Sequence, residues 1–135
     1  MGVFAIPQRG LVPALKYSDD SIKDEVITES SVASHFLADL GPSHLLPAQA
    51  SGSKTALAKA RSNFFVDTYV TKLLPKYHAF VFAADGSGPD AKTKDYLDTL
   101  EREIEPLLKD ANPFFGGSQE LTLTEVREQL QVLER

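Results

Sequence analysis

A mostly helical α+β fold is what this sequence predicts, and three observations predict it. Near the front, two short apolar segments flank a polar turn, which is the pattern of a hairpin. Further on, apolar residues recur at three-and-four spacing through Lys54–Ala84 and again through Ala91–Lys109, the pattern of amphipathic helices. Near the end, Thr122 and Glu125 stand three apart ahead of an apolar run, which is a helix-start signature.

The first segment is "LVPALKY", Leu11 to Tyr17. Pro13 cannot donate to a sheet ladder, so this strand belongs at an edge. "SDDSIKD" reads as a turn, and "EVIT", Glu25 to Thr28, as the second strand. A helix then starts near Ser30, with Val32, Ala33, Phe36, Leu37 and Leu40 on its inward face and Gly41–Pro42 as its stop. "GPSHLLPAQASGS" has no periodicity and reads as a linker. In the long segment Val66, Val70, Leu73, Tyr77, Phe80 and Ala84 step by four and three, and Pro75 demands a kink near Thr71–Leu74. "DGSGPD" ends it. In the next helix Tyr96, Leu97, Leu100, Ile104 and Leu107/Leu108 face inward, and Pro106 bends the last turn. Thr122 and Glu125 form a capping box, with Leu121 and Val126 as its hydrophobic staple. The last helix carries a narrow stripe of Val126, Leu130 and Leu133, and no internal repeat is evident.

The 135 residues are enough for a real core. Fourteen basic residues face nineteen acidic ones for a net charge of −5, and there is no basic stripe, so no nucleic-acid partner is expected. The absence of cysteine excludes disulfides, thiolate metal sites and a cysteine nucleophile within this chain. His35, His44 and His78 are scattered without ligand spacing, so no metal is expected. No segment reaches the roughly 18 to 20 apolar residues of a membrane span. "MGVFAIPQRG" has no charged region before its apolar run, which argues against a signal peptide. A soluble, cytoplasmic protein without a membrane partner is the expectation.

The chemistry concentrates in "ITESSVASHFL", Ile27 to Leu37. Any one of Thr28, Ser30 or Ser31 would cap the helix alone, so a carboxylate with two adjacent hydroxyls is more than a cap requires. A helix N-terminus favours a ligand carboxylate, the Ser30 hydroxyl can donate to it, and Glu29 can accept from an ammonium. If the Val12–Pro13 bond is cis, the Val12 main chain is turned outward to meet an extended peptide. Glutathione has all three features, since its γ-glutamyl end carries both carboxylate and ammonium. Taken singly, each piece is also an ordinary edge marker or cap.

The order of these pieces resembles the cytosolic glutathione transferases, and among them the omega-like class. "GLVPALKY" and "VITESSVASHFLADL" resemble the second half of that family's thioredoxin-like domain. "LLPAQ", "KARSNFFVDTYVTKLLP" and "NPFFGGSQELTLTEV" are similar to its linker and all-helical domain. The resemblance implies a partial thioredoxin-like domain at 1–42, a linker at 43–53 and a partial all-α domain at 54–135. It places Val12, Pro13, Glu29 and Ser30 on glutathione, with Pro13 as a cis-proline. It assigns the Thr122–Glu125 box to folding. Phe65 and Tyr69, with Phe64 and Tyr77 beside them, are candidates for a second-substrate pocket or for core. The family reaction is attack of the glutathione thiolate on a small electrophile, or glutathione-dependent thiol reduction, in the service of detoxification. The Tyr, Ser or Cys that activates the thiol follows the family's first strand, and nothing in these residues corresponds to it. The resemblance therefore implies a chain truncated at both ends, impaired in turnover, whose two-stranded hairpin leaves an open edge. A homo-oligomer, such as a dimer, is expected to cover it. The other class of function is a non-catalytic, transferase-like interaction module.

Overall fold

The computed structural model describes residues 13–41, 43–46, 52–82 and 89–133, with the backbone alone for 89–90 and 130–133. It is mostly helical with one small antiparallel sheet, as the sequence predicts. Val12, the Val12–Pro13 bond, most of the linker from Pro47 to Ser51, Ala84 and most of "DGSGPD" lie outside the described residues.

Strand β1 (Ala14–Tyr17) pairs with β2 (Glu25–Thr28), and the register sets Ala14 against Thr28 and Tyr17 against Glu25. The turn between them is built by Asp19. Its carboxylate accepts from the amides of Ser21 (2.8 Å) and Ile22 (2.7 Å) and from the Tyr17 hydroxyl (2.8 Å). These bonds, the Ser21 amide first, hold its carboxyl down at about 2.

Helix α1 spans Ser30–Asp39. Phe36 meets the Tyr17 ring edge-on at 5.0 Å, which seats the helix on the hairpin. The predicted inward face is corrected in part. Ala33 is buried, but Val32, Leu37 and Leu40 are 54%, 52% and 42% exposed. The helix packs through small residues instead, with Ser30, Ala33 and Ala38 buried. Small side chains allow α1 to lie close against the last helix, and that contact decides which face turns in.

Helix α2 (Ser53–Thr68) runs into a five-residue π-turn, Tyr69–Leu73, and then into α3 (Leu74–Val81). Helix α4 (Pro89–Thr99) runs into a second π-turn, Leu100–Ile104, and a short 3-10 turn, Glu105–Leu107. The two interruptions share one design. "TYVTKLLP", 68–75, and "TLEREIEP", 99–106, match at Thr, at an apolar sixth residue and at Pro. Thr68 donates its hydroxyl to the Phe64 carbonyl (2.8 Å), and Thr99 donates to that of Asp95 (2.7 Å). In each turn the next amide reaches five residues back, Leu74 to the Tyr69 carbonyl and Glu105 to that of Leu100. A helical proline lacks an amide and crowds the carbonyl four residues back, and a widened turn moves that carbonyl aside. This is the physical form of the kinks that Pro75 and Pro106 predict. The octets are a short internal correspondence that the sequence did not reveal, because only three of eight positions coincide.

The sixth residues, Leu73 and Ile104, are 3% and 2% exposed and join Phe65 and Val66 in the core. Burying side chains of this size stabilises the fold by about 1.5–3 kcal/mol each. Lys72 and Glu103, at equivalent places in the two turns, form an ion pair of 2.5 Å. The stripe through Val66, Val70 and Leu73 is as predicted, whereas Phe80 (37%), Leu97 (45%) and Leu108 (36%) are more exposed than their spacing implied.

Helix α5 spans Leu123–Leu133. Its capping box is present: Glu125 accepts from the Thr122 amide (2.9 Å) and hydroxyl (2.5 Å), and the Thr124 amide donates to the Thr122 hydroxyl (3.2 Å). Gly116 and Gly117, at φ 66° and 77°, turn the preceding loop, and the Phe115 amide donates to Glu125 as well (2.7 Å). Leu121 is 43% exposed, so the staple is not the anchor. The Leu123 amide donates to the Leu45 carbonyl instead (2.7 Å) and ties the linker down. The described part of α5 buries Leu123, Thr124 and Arg127, with Val126 half-buried, while the side chains of Leu130 and Leu133 lie outside the description.

Candidate ligand site at the start of the first helix

Glu29 is the residue just before α1, and its backbone sits at φ 72°, ψ 121°. A non-glycine residue there is strained, at a cost of about 1–3 kcal/mol. Its carbonyl accepts the first helical bond, from the Ala33 amide (2.9 Å), while its side chain makes no capping bond. The carboxylate thus does not cap its own helix and sits on an exposed residue. Ser30, immediately inside, is only 2% exposed.

The register ends at the Ala14–Thr28 pair, with Pro13 next in the chain on one side and Glu29 on the other. Pro13 is exposed at the head of β1. The hairpin thus brings the start of one strand and the start of α1 to the same end of the sheet. The Val12 main chain and the geometry of its bond to Pro13 belong to the residues outside the description.

Ser31 has a different task from its neighbour. Its hydroxyl accepts from Arg127 Nη2 (2.7 Å), while Arg127 Nη1 donates to Asn63 Oδ1 (2.6 Å). One guanidinium thereby pins α1, α2 and α5 together. Arg127 is 8% exposed, forms no ion pair among the described residues, and has a buried Nε with no partner there. Burial lowers its pKa from the usual guanidinium value. Sequence reasoning passed over this residue, because its charge keeps it out of the apolar stripe of Val126, Leu130 and Leu133. The signal was its spacing, since Arg127 lies four residues after Leu123 and hence on the same face of α5.

Phe65 and Tyr69 stand elsewhere. Phe65 is 3% exposed, and its ring lies 6.5 Å from that of Tyr69 and 5.1 Å from that of Phe115. Both line a cavity of about 330 Å³ between the two π-turns and α5, with Tyr96, Glu125 and Glu128. Burial, then the charge of Glu128, pushes the Tyr69 phenol up to about 12. Burial also raises the Glu128 carboxyl, and the Glu125 charge adds to this. Phe64 is 59% exposed and takes no part, and Tyr77 lies against Tyr96 at 6.2 Å. Pro13, Glu29 and Ser30 do not line this cavity. The expected head-group grip and the expected apolar pocket are thus separate features.

Among the described residues no group of three or more His, Asp or Glu side chains converges as for a metal ion. No described helix is long and apolar enough to cross a membrane. Comparison with protein-family models, with curated proteins and with solved structures finds no match for this chain.

Proposed function

We propose that this chain is a glutathione transferase-like protein that holds the γ-glutamyl end of glutathione at the start of α1. The observation that carries the reading is Glu29. A strained backbone at a helix start, with an exposed carboxylate that does not cap, is the arrangement expected where a ligand ammonium is to be met. Ser30 beside it stands at the positive end of α1, where a ligand carboxylate is favoured. The Ala14–Thr28 pair puts the head of β1 at the same end of the sheet as Glu29, where a peptide backbone could run past.

The test is the thermal midpoint of the whole chain with increasing glutathione. A ligand at one hundred times its Kd stabilises by about 2.7 kcal/mol. A rise in Tm that vanishes in the Glu29→Ala, Ser30→Ala double variant supports the reading. An unchanged Tm at millimolar glutathione overturns it.

A second reading, that of a transferase-like interaction module, is favoured by the outward face of α1. Val32, Leu37 and Leu40 leave an apolar surface on a helix otherwise seated by small residues. On this reading the chain forms a homo-oligomer, and sedimentation velocity shows a species heavier than the 14.8 kDa chain.

A further inference from the structure

A second hollow in the described structure lies away from the start of α1. It is a cleft of about 630 Å³ between the middle of α1, the first half of α2 and the loop that leads into α5. Leu45, Leu107 and Leu123 contribute apolar wall, and Ser62 and Thr124 contribute hydroxyls that bond each other at 2.7 Å. This size is in the range of about 300–1,000 Å³ that takes a small organic molecule.

Its charge is the opposite of the chain's. The protein as a whole carries −5, yet Lys59, Arg61 and Lys109 line the cleft against a single carboxylate, that of Asp110. The nearby pairings are long. Arg61 stands 3.9 Å from Asp110, and Lys59 stands 3.7 Å from Asp39, with all four side chains exposed. At such separations each cation keeps donors for a better acceptor. His35 also lines the cleft, but burial first, then the charge of Arg127, lowers its pKa, so the imidazole adds little positive charge of its own. Arg127 itself is buried without a carboxylate partner among the described residues, so its charge is not cancelled locally.

We propose that this cleft binds a small organic anion, an apolar body carrying one carboxylate or phosphate-like head, with the head against Lys59, Arg61 and Lys109. The apolar wall takes the body and the rim cations take the charge. Glu29 and Ser30 are not part of it, so the proposal stands or falls independently of glutathione.

The probe is 2-naphthoate, titrated calorimetrically into the whole chain. Saturable one-to-one binding is expected, and 2-naphthalenemethanol, with the same rings and no charge, should bind about tenfold more weakly or worse. The triple variant Lys59→Gln, Arg61→Gln, Lys109→Gln should lose naphthoate affinity by a similar factor while keeping its circular dichroism and Tm, because these side chains are largely exposed. The Glu29→Ala, Ser30→Ala variant should bind naphthoate as the parent does. No saturation at millimolar naphthoate, equal binding of the alcohol, undiminished binding by the triple variant, or loss in the Glu29/Ser30 variant would each overturn the proposal.

Discussion

Two helix starts in this molecule use similar residues to opposite ends. At α5 a threonine and a glutamate three apart bond each other and the backbone, and Glu125 also takes the Phe115 amide. At α1 a glutamate and two serines are adjacent, yet the Glu29 side chain does not cap the helix and the Glu29 backbone is strained. The first start is closed upon itself, with its polar groups consumed by folding. The second leaves its carboxylate outward and gives Ser31 to a distant arginine. The lesson is that a cap-like composition is a different thing from a cap. Geometry decides whether the polar groups serve the helix or are held for another partner.

Breaking the closed start should have the largest effect. Glu125→Ala removes the acceptor for two backbone amides and one hydroxyl, and we expect a loss of about 3 kcal/mol in urea unfolding. The pH dependence sharpens this. Burial alone would raise the Glu125 carboxyl, but hydrogen bonds from Thr122 and the Phe115 amide outweigh it and hold the group below its ordinary value of 4.5. Its stabilisation is therefore full above the ordinary carboxylate range and is lost as pH falls through the lowered value. The variant should lack that part of the acid-side decline. If the variant is as stable as the parent at neutral pH, the box is not what holds α5.

A smaller effect is expected where the open start is tied to the body. Arg127→Ala removes bonds to Ser31 and Asn63 and a buried side-chain stem, for a loss of about 2 kcal/mol. The relief of an uncompensated buried charge limits the damage. Amide exchange should quicken first in α1, since that helix loses its tie to α5. Uniform quickening across the chain would show that Arg127 is not a specific tie.

The smallest change has the opposite sign. Glu29→Gly relieves part of the backbone strain, and after the entropy cost of glycine in the unfolded chain we expect a gain of up to about 1 kcal/mol. The same variant should lose the glutathione response of Tm. A destabilised Glu29→Gly would mean that the glutamate side chain supports the fold, and the contrast between the two starts would collapse.

Much of this architecture was legible beforehand. The hairpin, the capping box and the two proline-directed interruptions follow from local chemistry that acts within a few residues. The errors arose where a distant element chose the face. The apolar stripe of α1 pointed to Val32, Leu37 and Leu40, but close packing through Ser30, Ala33 and Ala38 turned them outward. Arg127 fell outside the apolar stripe read for the last helix because it is charged, although Leu123 four residues earlier lies on the same, buried face. The strain at Glu29 had no sequence signal at all, since its residue type does not announce a positive φ. The cationic cleft was equally hidden, because Lys59, Arg61 and Lys109 come from separate segments that only folding assembles.

The paired π-turns set the phase of everything downstream of them. An α-helix advances about 100° per residue, so one surplus residue in each wide turn rotates the following segment by about that angle relative to an unbroken rod. Tyr77 meets Tyr96, and Lys76 meets Asp95, only because α3 emerges with this offset. Deleting one uncharged residue within Tyr69–Leu73 would leave the charge and helical tendency nearly unchanged, yet it would swing the aromatic side of α3 away from α4.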